Sequence, residues 1–227
     1  QYSSQGRYGA SVNIETEDRP RNTLALKIII DEGKSAKIKK VNIIGNNLFT
    51  DEELMTGFEL QEGKWYAFLS NKDKYSKEKL EGDIENLESF YLDRGYLKFS
   101  IESSQVSVSK NKEDVFITLS ISEGDQYKID DVSVIGEMPL DEAIYNPIVE
   151  SQKNKIYSQA QITQIEEYFV NLLGNEGYTF AEVSGNPEIN QENKTVSLLF
   201  LVQPGNRTYA RKILFAGNYL TNDEVLR

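Results

Sequence analysis

Two residue types are missing from this chain altogether: among its 227 residues there is no cysteine and no histidine. Without cysteine there is no disulfide and no thiolate nucleophile. Without histidine the commonest general base and the commonest transition-metal ligand are gone, so the many serines lack their usual partner for nucleophilic catalysis. Long apolar runs are absent as well, and none approaches the roughly 20 residues that a membrane-spanning helix needs. Basic residues are outnumbered, 25 against 36 acidic ones, for a net charge of −11. A surface with that balance repels phosphate, which argues against nucleic acid or an acidic membrane surface as partner. No phosphate loop of the G-x-x-x-x-G-K-S/T form and no dinucleotide fingerprint occurs.

What is present is an ordinary globular composition, 39% hydrophobic and 27% charged. The length fits one large domain or two to three small ones. No leader is visible, but residue 1 falls inside a structural pattern. The sequence therefore reads as an excised piece, and the missing leader carries no weight about export.

Three sets of landmarks recur. A helix-like run ends in Gly and Tyr at YLDRGY (91–96) and at GNEGY (174–178), with a looser copy at SSQGRYG (3–9). Gly95 and Gly177 lie 82 residues apart. Alternating runs end at Gly33, Gly124 and Gly205, and short strand-like runs end at Gly45, Gly136 and Gly217, each set spaced by 91 and then 81 residues. Shared spacing in independent landmarks means tandem small domains.

Each unit reads β-α-α-β-β. AKIKKVNIIG (36–45) is a strand and turn, and Thr50 with Glu53 makes a capping box that opens a short helix. Thr221 to Glu224 repeats that signature after the strand at 212–218. Leu80, Ile84, Leu87 and Tyr91 fall at helical spacing, as do Ile162, Ile165, Phe169 and Leu172, with Ser158 and Gln161 as a further capping box. Gly95 and Gly177 stand where a helix takes a left-handed stop. Tyr96 and Tyr178 then begin a strand, and a second strand follows at 114–121 or 194–202, or at 22–30 in the first partial copy. The two final strands form an antiparallel hairpin, the first strand joins it, and two helices cover one face. In the second complete unit Pro139 and Pro147 disturb a simple cap-and-helix pattern.

At this point the chain resembles POTRA domains. YLDRGY, SEGDQYKI (122–129), PEIN (187–190) and GNRTYARKI (205–213) are more closely similar to the periplasmic arm of the BamA family of outer-membrane assembly factors. The resemblance covers essentially the whole chain. It implies an α+β fold of tandem POTRA modules, each a three-stranded mixed sheet with two helices on one face. Residues 1–33 would be the back half of the second module, 34–124 the third, 125–206 the fourth and 207–227 the start of the fifth. It further implies a non-enzymatic periplasmic scaffold with no cofactor and no metal, part of a protein anchored by a C-terminal β-barrel in a Gram-negative outer membrane. The implied partners are accessory lipoproteins (BamB at the third module, BamD at the fifth) and unfolded outer-membrane proteins. A POTRA arm of a two-partner secretion or TamA-type protein uses the same fold, usually with fewer modules.

A small sheet leaves an edge open, and an open edge can accept an extended chain through main-chain hydrogen bonds. The candidate edge is KFSIESSQVSV (98–108), where Glu102 to Ser104 has room for a bulge. Ile101, Glu102, Val106 and Val108 are the candidate partner-binding residues, and by resemblance this is the BamB docking region. An ordinary half-buried strand gives the same alternation. Tyr127 and Tyr209 follow Gly124 and Gly205 and are read as inter-domain packing. Thr50, Gly95 and Gly177 are structural helix caps. Carboxylates at 51–53 and 81–88 fall mostly on polar helix faces, which fits solvation better than catalysis. Asp93 and Arg94 read as a solvated helix end. Trp65 to Leu69 is the most apolar loop, packed under its own helices or exposed for a neighbour.

Overall fold

The computed structural model describes residues 2–20, 23–62 and 73–209. The Trp65 to Leu69 loop, the strand at 212–218 and the capping box at 221–224 lie outside those residues. The chain divides into two compact units, one of residues 1–128 with 156–159 and the other of 129–155 with 160–227.

The first unit begins with an antiparallel hairpin, β1 (Ser11–Arg19) and β2 (Thr23–Asp31). Next come β3 (Lys37–Ile44), a single helical turn α1 (Asp51–Leu54), α2 (Lys77–Leu92), β4 (Ser100–Val108) and β5 (Asp114–Ser122). The sheet order is β3-β5-β4, with β3 parallel and β4 antiparallel to the central β5. Alternation decides the core. Val115, Ile117, Leu119 and Ile121 of β5 are all buried, and Leu80, Leu87 and Tyr91 of α2 pack over them.

The second unit repeats this with β6 (Lys128–Gly136), α3 (Glu142–Glu150), α4 (Gln159–Asn175), β7 (Glu182–Asn190) and β8 (Thr195–Gln203). Its sheet order is β6-β8-β7, and β7 pairs antiparallel with β8. Val196, Leu198, Phe200 and Val202 of β8 are buried, as are Ile162, Ile165, Phe169 and Leu173 of α4. The prolines leave the helix in place. Asp141 caps α3 by accepting from the Ala143 N–H, and Pro147 sits inside the helix.

Tyr96 and Tyr178 do not begin strands. The Phe99 N–H bonds the Tyr96 carbonyl and the Ala181 N–H bonds the Tyr178 carbonyl, closing a turn before β4 and β7 start at Ser100 and Glu182. Tyr96 is held back by packing, edge to face against Phe49 and Tyr91. At the helix stop, Gly95 has φ 88° and the Tyr96 N–H reaches the Tyr91 carbonyl. The freed Gly95 carbonyl then accepts the Tyr127 N–H. The Gly6 carbonyl likewise accepts from Ala36, and the Gly177 carbonyl from Thr208. The recurring glycine thus stops a helix and also presents an acceptor to the chain that follows the hairpin. A Cβ on Gly95 would lie 2.9 Å from the Tyr127 carbonyl oxygen, too close for any side chain.

Candidate functional site

β4 is an edge strand: it pairs with β5 on one side, and among the described residues nothing pairs on the other. The Ser109 N–H bonds the Asp114 carbonyl at the hairpin end. Antiparallel alternation then points the backbone groups of Ser104, Val106 and Val108 away from β5. Among the described residues no side chain occupies these three outward N–H groups. Register shifts between Ile101 and Ser103, so Glu102 is the extra residue of a β-bulge. Its carboxylate accepts the Ser120 hydroxyl at 3.4 Å. Ile101, Val106 and Val108 are half-buried and rest against the core, while Glu102, Gln105 and Ser107 are exposed. The four candidate residues therefore divide: three apolar side chains serve the first unit's own core, and Glu102 faces outward. What the strand offers a partner is main chain.

The bulge also accounts for the unequal spacing of the landmarks. β5 and β8 correspond at an interval of 81 residues, whereas Gly95 and Gly177 are 82 apart. Glu102 is the additional residue. Beyond it, Ser104, Val106 and Val108 pair with Leu119, Ile117 and Val115, and their counterparts Gly185, Pro187 and Ile189 pair with Phe200, Leu198 and Val196.

Two buried carboxylates fix the loops around this sheet. Asp83 is fully buried on α2, and its two oxygens accept the Glu59 N–H at 2.6 Å and the Leu60 N–H at 2.9 Å. Burial raises its pKa above the ordinary aspartate value, against the pull of those two donors. Among the acids at 81–88 Asp83 is the exception, since Glu81, Glu85 and Glu88 are exposed. Glu123, 7% exposed, accepts the Asn47 and Leu48 N–H groups and the Tyr91 hydroxyl, the last at 2.8 Å. Burial and then the Glu123 hydrogen bond push the Tyr91 phenol up, so it stays a donor.

At the α1 cap, Thr50 and Glu53 form a reciprocal capping box. The Thr50 N–H holds the Glu53 carboxyl below the ordinary glutamate range. Arg94 stacks over the Phe90 ring at 3.6 Å and donates to the Phe90 carbonyl. Tyr127 is buried, whereas Tyr209 is 77% exposed, with the Arg207 guanidinium 5.7 Å from its ring. Among the described residues no group of three or more acidic side chains is placed to hold a metal ion.

Comparison with known proteins agrees with this architecture. The POTRA family, described as surface antigen variable number repeat, matches residues 36–124 and 127–205. The protein named outer membrane protein assembly factor BamA of Buchnera aphidicola is 33% identical across 100% of this chain and 37% of its own length. The protein of that name from Neisseria meningitidis serogroup B is 29% identical across 100% of this chain and 29% of its own. The chain thus spans about a third of the length of these curated relatives. The crystal structure of Haemophilus influenzae BamA POTRA3-5 superposes with a TM-score of 0.67 at 27% identity, covering 85% of this chain and 76% of that one.

Proposed function

Because the chain belongs to the POTRA family, we propose that it is the periplasmic arm segment of an outer-membrane β-barrel assembly factor, and that the edge of β4 accepts an extended strand from a partner. The names of its relatives support the assembly role. The observation that carries the reading is the row of outward backbone groups at Ser104, Val106 and Val108, unoccupied among the described residues. Main-chain pairing is tolerant of sequence, which suits a scaffold that meets many unfolded barrel proteins. An accessory lipoprotein of the BamB kind is the second occupant of the same edge, and a BamD-like partner belongs with the module that residues 207–227 begin. The residues Ile101, Glu102, Val106 and Val108 define the stretch; Val106 and Val108 contribute through backbone, Glu102 through the bulge.

Val106→Pro tests this. Its N–H points outward, so proline removes an edge donor and leaves the ladder to β5 whole. The second unit carries Pro187 at the corresponding place, so the fold accepts proline there. Binding of a labelled barrel-strand peptide or of the purified lipoprotein should weaken by about tenfold or more, with the melting temperature nearly unchanged. Unchanged binding would overturn the reading.

A further inference from the structure

The second sheet has the same kind of edge strand, yet two of its three matching outward N–H groups, those at positions 185 and 187, are not available. The Gly185 N–H is taken by the Glu166 carboxylate of α4 at 2.5 Å. Pro187, the next outward residue, has no N–H to offer. Gly185 lets the helix come this close: a Cβ there would lie 2.5 Å from Ile162 Cγ2. In the first unit the matching positions are Ser104 and Val106 on the strand and Ile84 on the helix, an apolar side chain with no acceptor. Two outward donors in succession are thus removed in β7 by different means, one by a side-chain clasp and one by proline. Both are known ways of keeping a sheet edge from pairing.

From this we infer that Glu166 and Pro187 act as an edge guard that denies β7 to extended chains of alternating apolar and polar residues and confines strand acceptance to β4. The inference rests on the strand-accepting reading of β4. The guard sets which of the two matching hairpin edges, β4 or β7, an incoming strand can use. Replacing both guard residues by their first-unit counterparts, Glu166→Ile with Pro187→Val, gives β7 the same outward donors as β4.

The test uses the full 227-residue chain and a short fluorescein-labelled peptide of alternating valine and threonine. The unsubstituted chain should bind one peptide, lost in Val106→Pro. The E166I/P187V variant should bind two, and should keep one when Val106→Pro is added. Glu166→Gln retains an acceptor oxygen and should stay at one. Without peptide, hydrogen exchange at the Gly185 amide should accelerate about tenfold in Glu166→Ile, because the carboxylate that holds it is gone. A double variant that remains at one site, or a Gly185 amide whose exchange does not change, overturns the guard. If the unsubstituted chain binds no peptide at β4, the strand-accepting reading fails. The Gly185 exchange and the binding of E166I/P187V in the Val106→Pro background still decide the guard separately.

Discussion

The two complete modules carry one fold with two different locks. In the first, the loop after β3 is tied to the end of β5 by polar chemistry: Glu123 accepts from Asn47, Leu48 and Tyr91. In the second, the corresponding positions hold Pro204, Met138, Pro139 and Leu173. Pro139 has no N–H to satisfy, so the carboxylate is not needed, and Leu173 is fully buried in apolar company. Two of the three donors are absent together with the acceptor, and only the Met138 N–H remains. The difference teaches that a buried acid survives here only where it has donors to serve. It also explains the proline-rich departure at 137–147, which exchanges a polar tie for an apolar one without disturbing the helix.

The sharpest way to break this comparison is Glu123→Leu. It leaves the buried Tyr91 phenol unpaired and strips the acceptor from the N–H groups of the exposed Asn47 and Leu48, at a cost of about 3 kcal/mol. The first unit should melt roughly 10–20 °C lower, and differential scanning calorimetry should find the second unit unmoved. The reciprocal Pro204→Glu should destabilise the second unit, because Pro139 and Leu173 supply neither the second N–H nor the hydroxyl that Glu123 has. Asp83→Asn comes next. An amide cannot accept at both positions, so the change should cost about 2 kcal/mol, read by urea denaturation.

A smaller effect is expected at the helix caps, Thr50→Ala in the first module and Asp141→Ala in the second, each at about 1 kcal/mol. Here pH separates two acids of the first unit. The Glu53 pKa is depressed, so its stabilisation is present above the ordinary glutamate value of 4.5 and is lost as pH falls through the lower folded value. The Asp83 pKa is raised, so stability falls as pH rises from the ordinary 3.8 through the higher folded value. Thr50→Ala should therefore flatten the acid limb of a stability–pH profile and Asp83→Asn the limb just above it. Deleting Glu102 should matter least. It gives β4 the register of β7 and should move the unfolding free energy by only about 0.5 kcal/mol.

Much of this was legible from residues. Landmark spacing, the Thr50 cap, the glycine helix stops and the helix periodicity in α2 and α4 all follow from local chemistry, although in α4 the buried residue is Leu173 and not the expected Leu172. The start of β4 was misplaced because packing of Tyr96 against Phe49 and Tyr91 delays the strand. The bulge was expected within Glu102 to Ser104, and the partner register narrows it to Glu102, in line with the one-residue discrepancy between two landmark intervals. Asp83 was readable too: it lies three residues after Leu80 and four before Leu87, on the apolar stripe. Glu123 and Glu166 were not, because each is defined by a backbone group brought from a distant part of the chain.

The most direct test of the open and guarded edges places a photo-crosslinking residue at matched positions in the intact protein in living cells. Gln105 and Ser107 lie on β4, and Asn186 and Glu188 are their exposed counterparts on β7. The account predicts adducts to partner proteins from 105 and 107 and none from 186 and 188. Equal yields from both strands, or adducts from β7 alone, would contradict it.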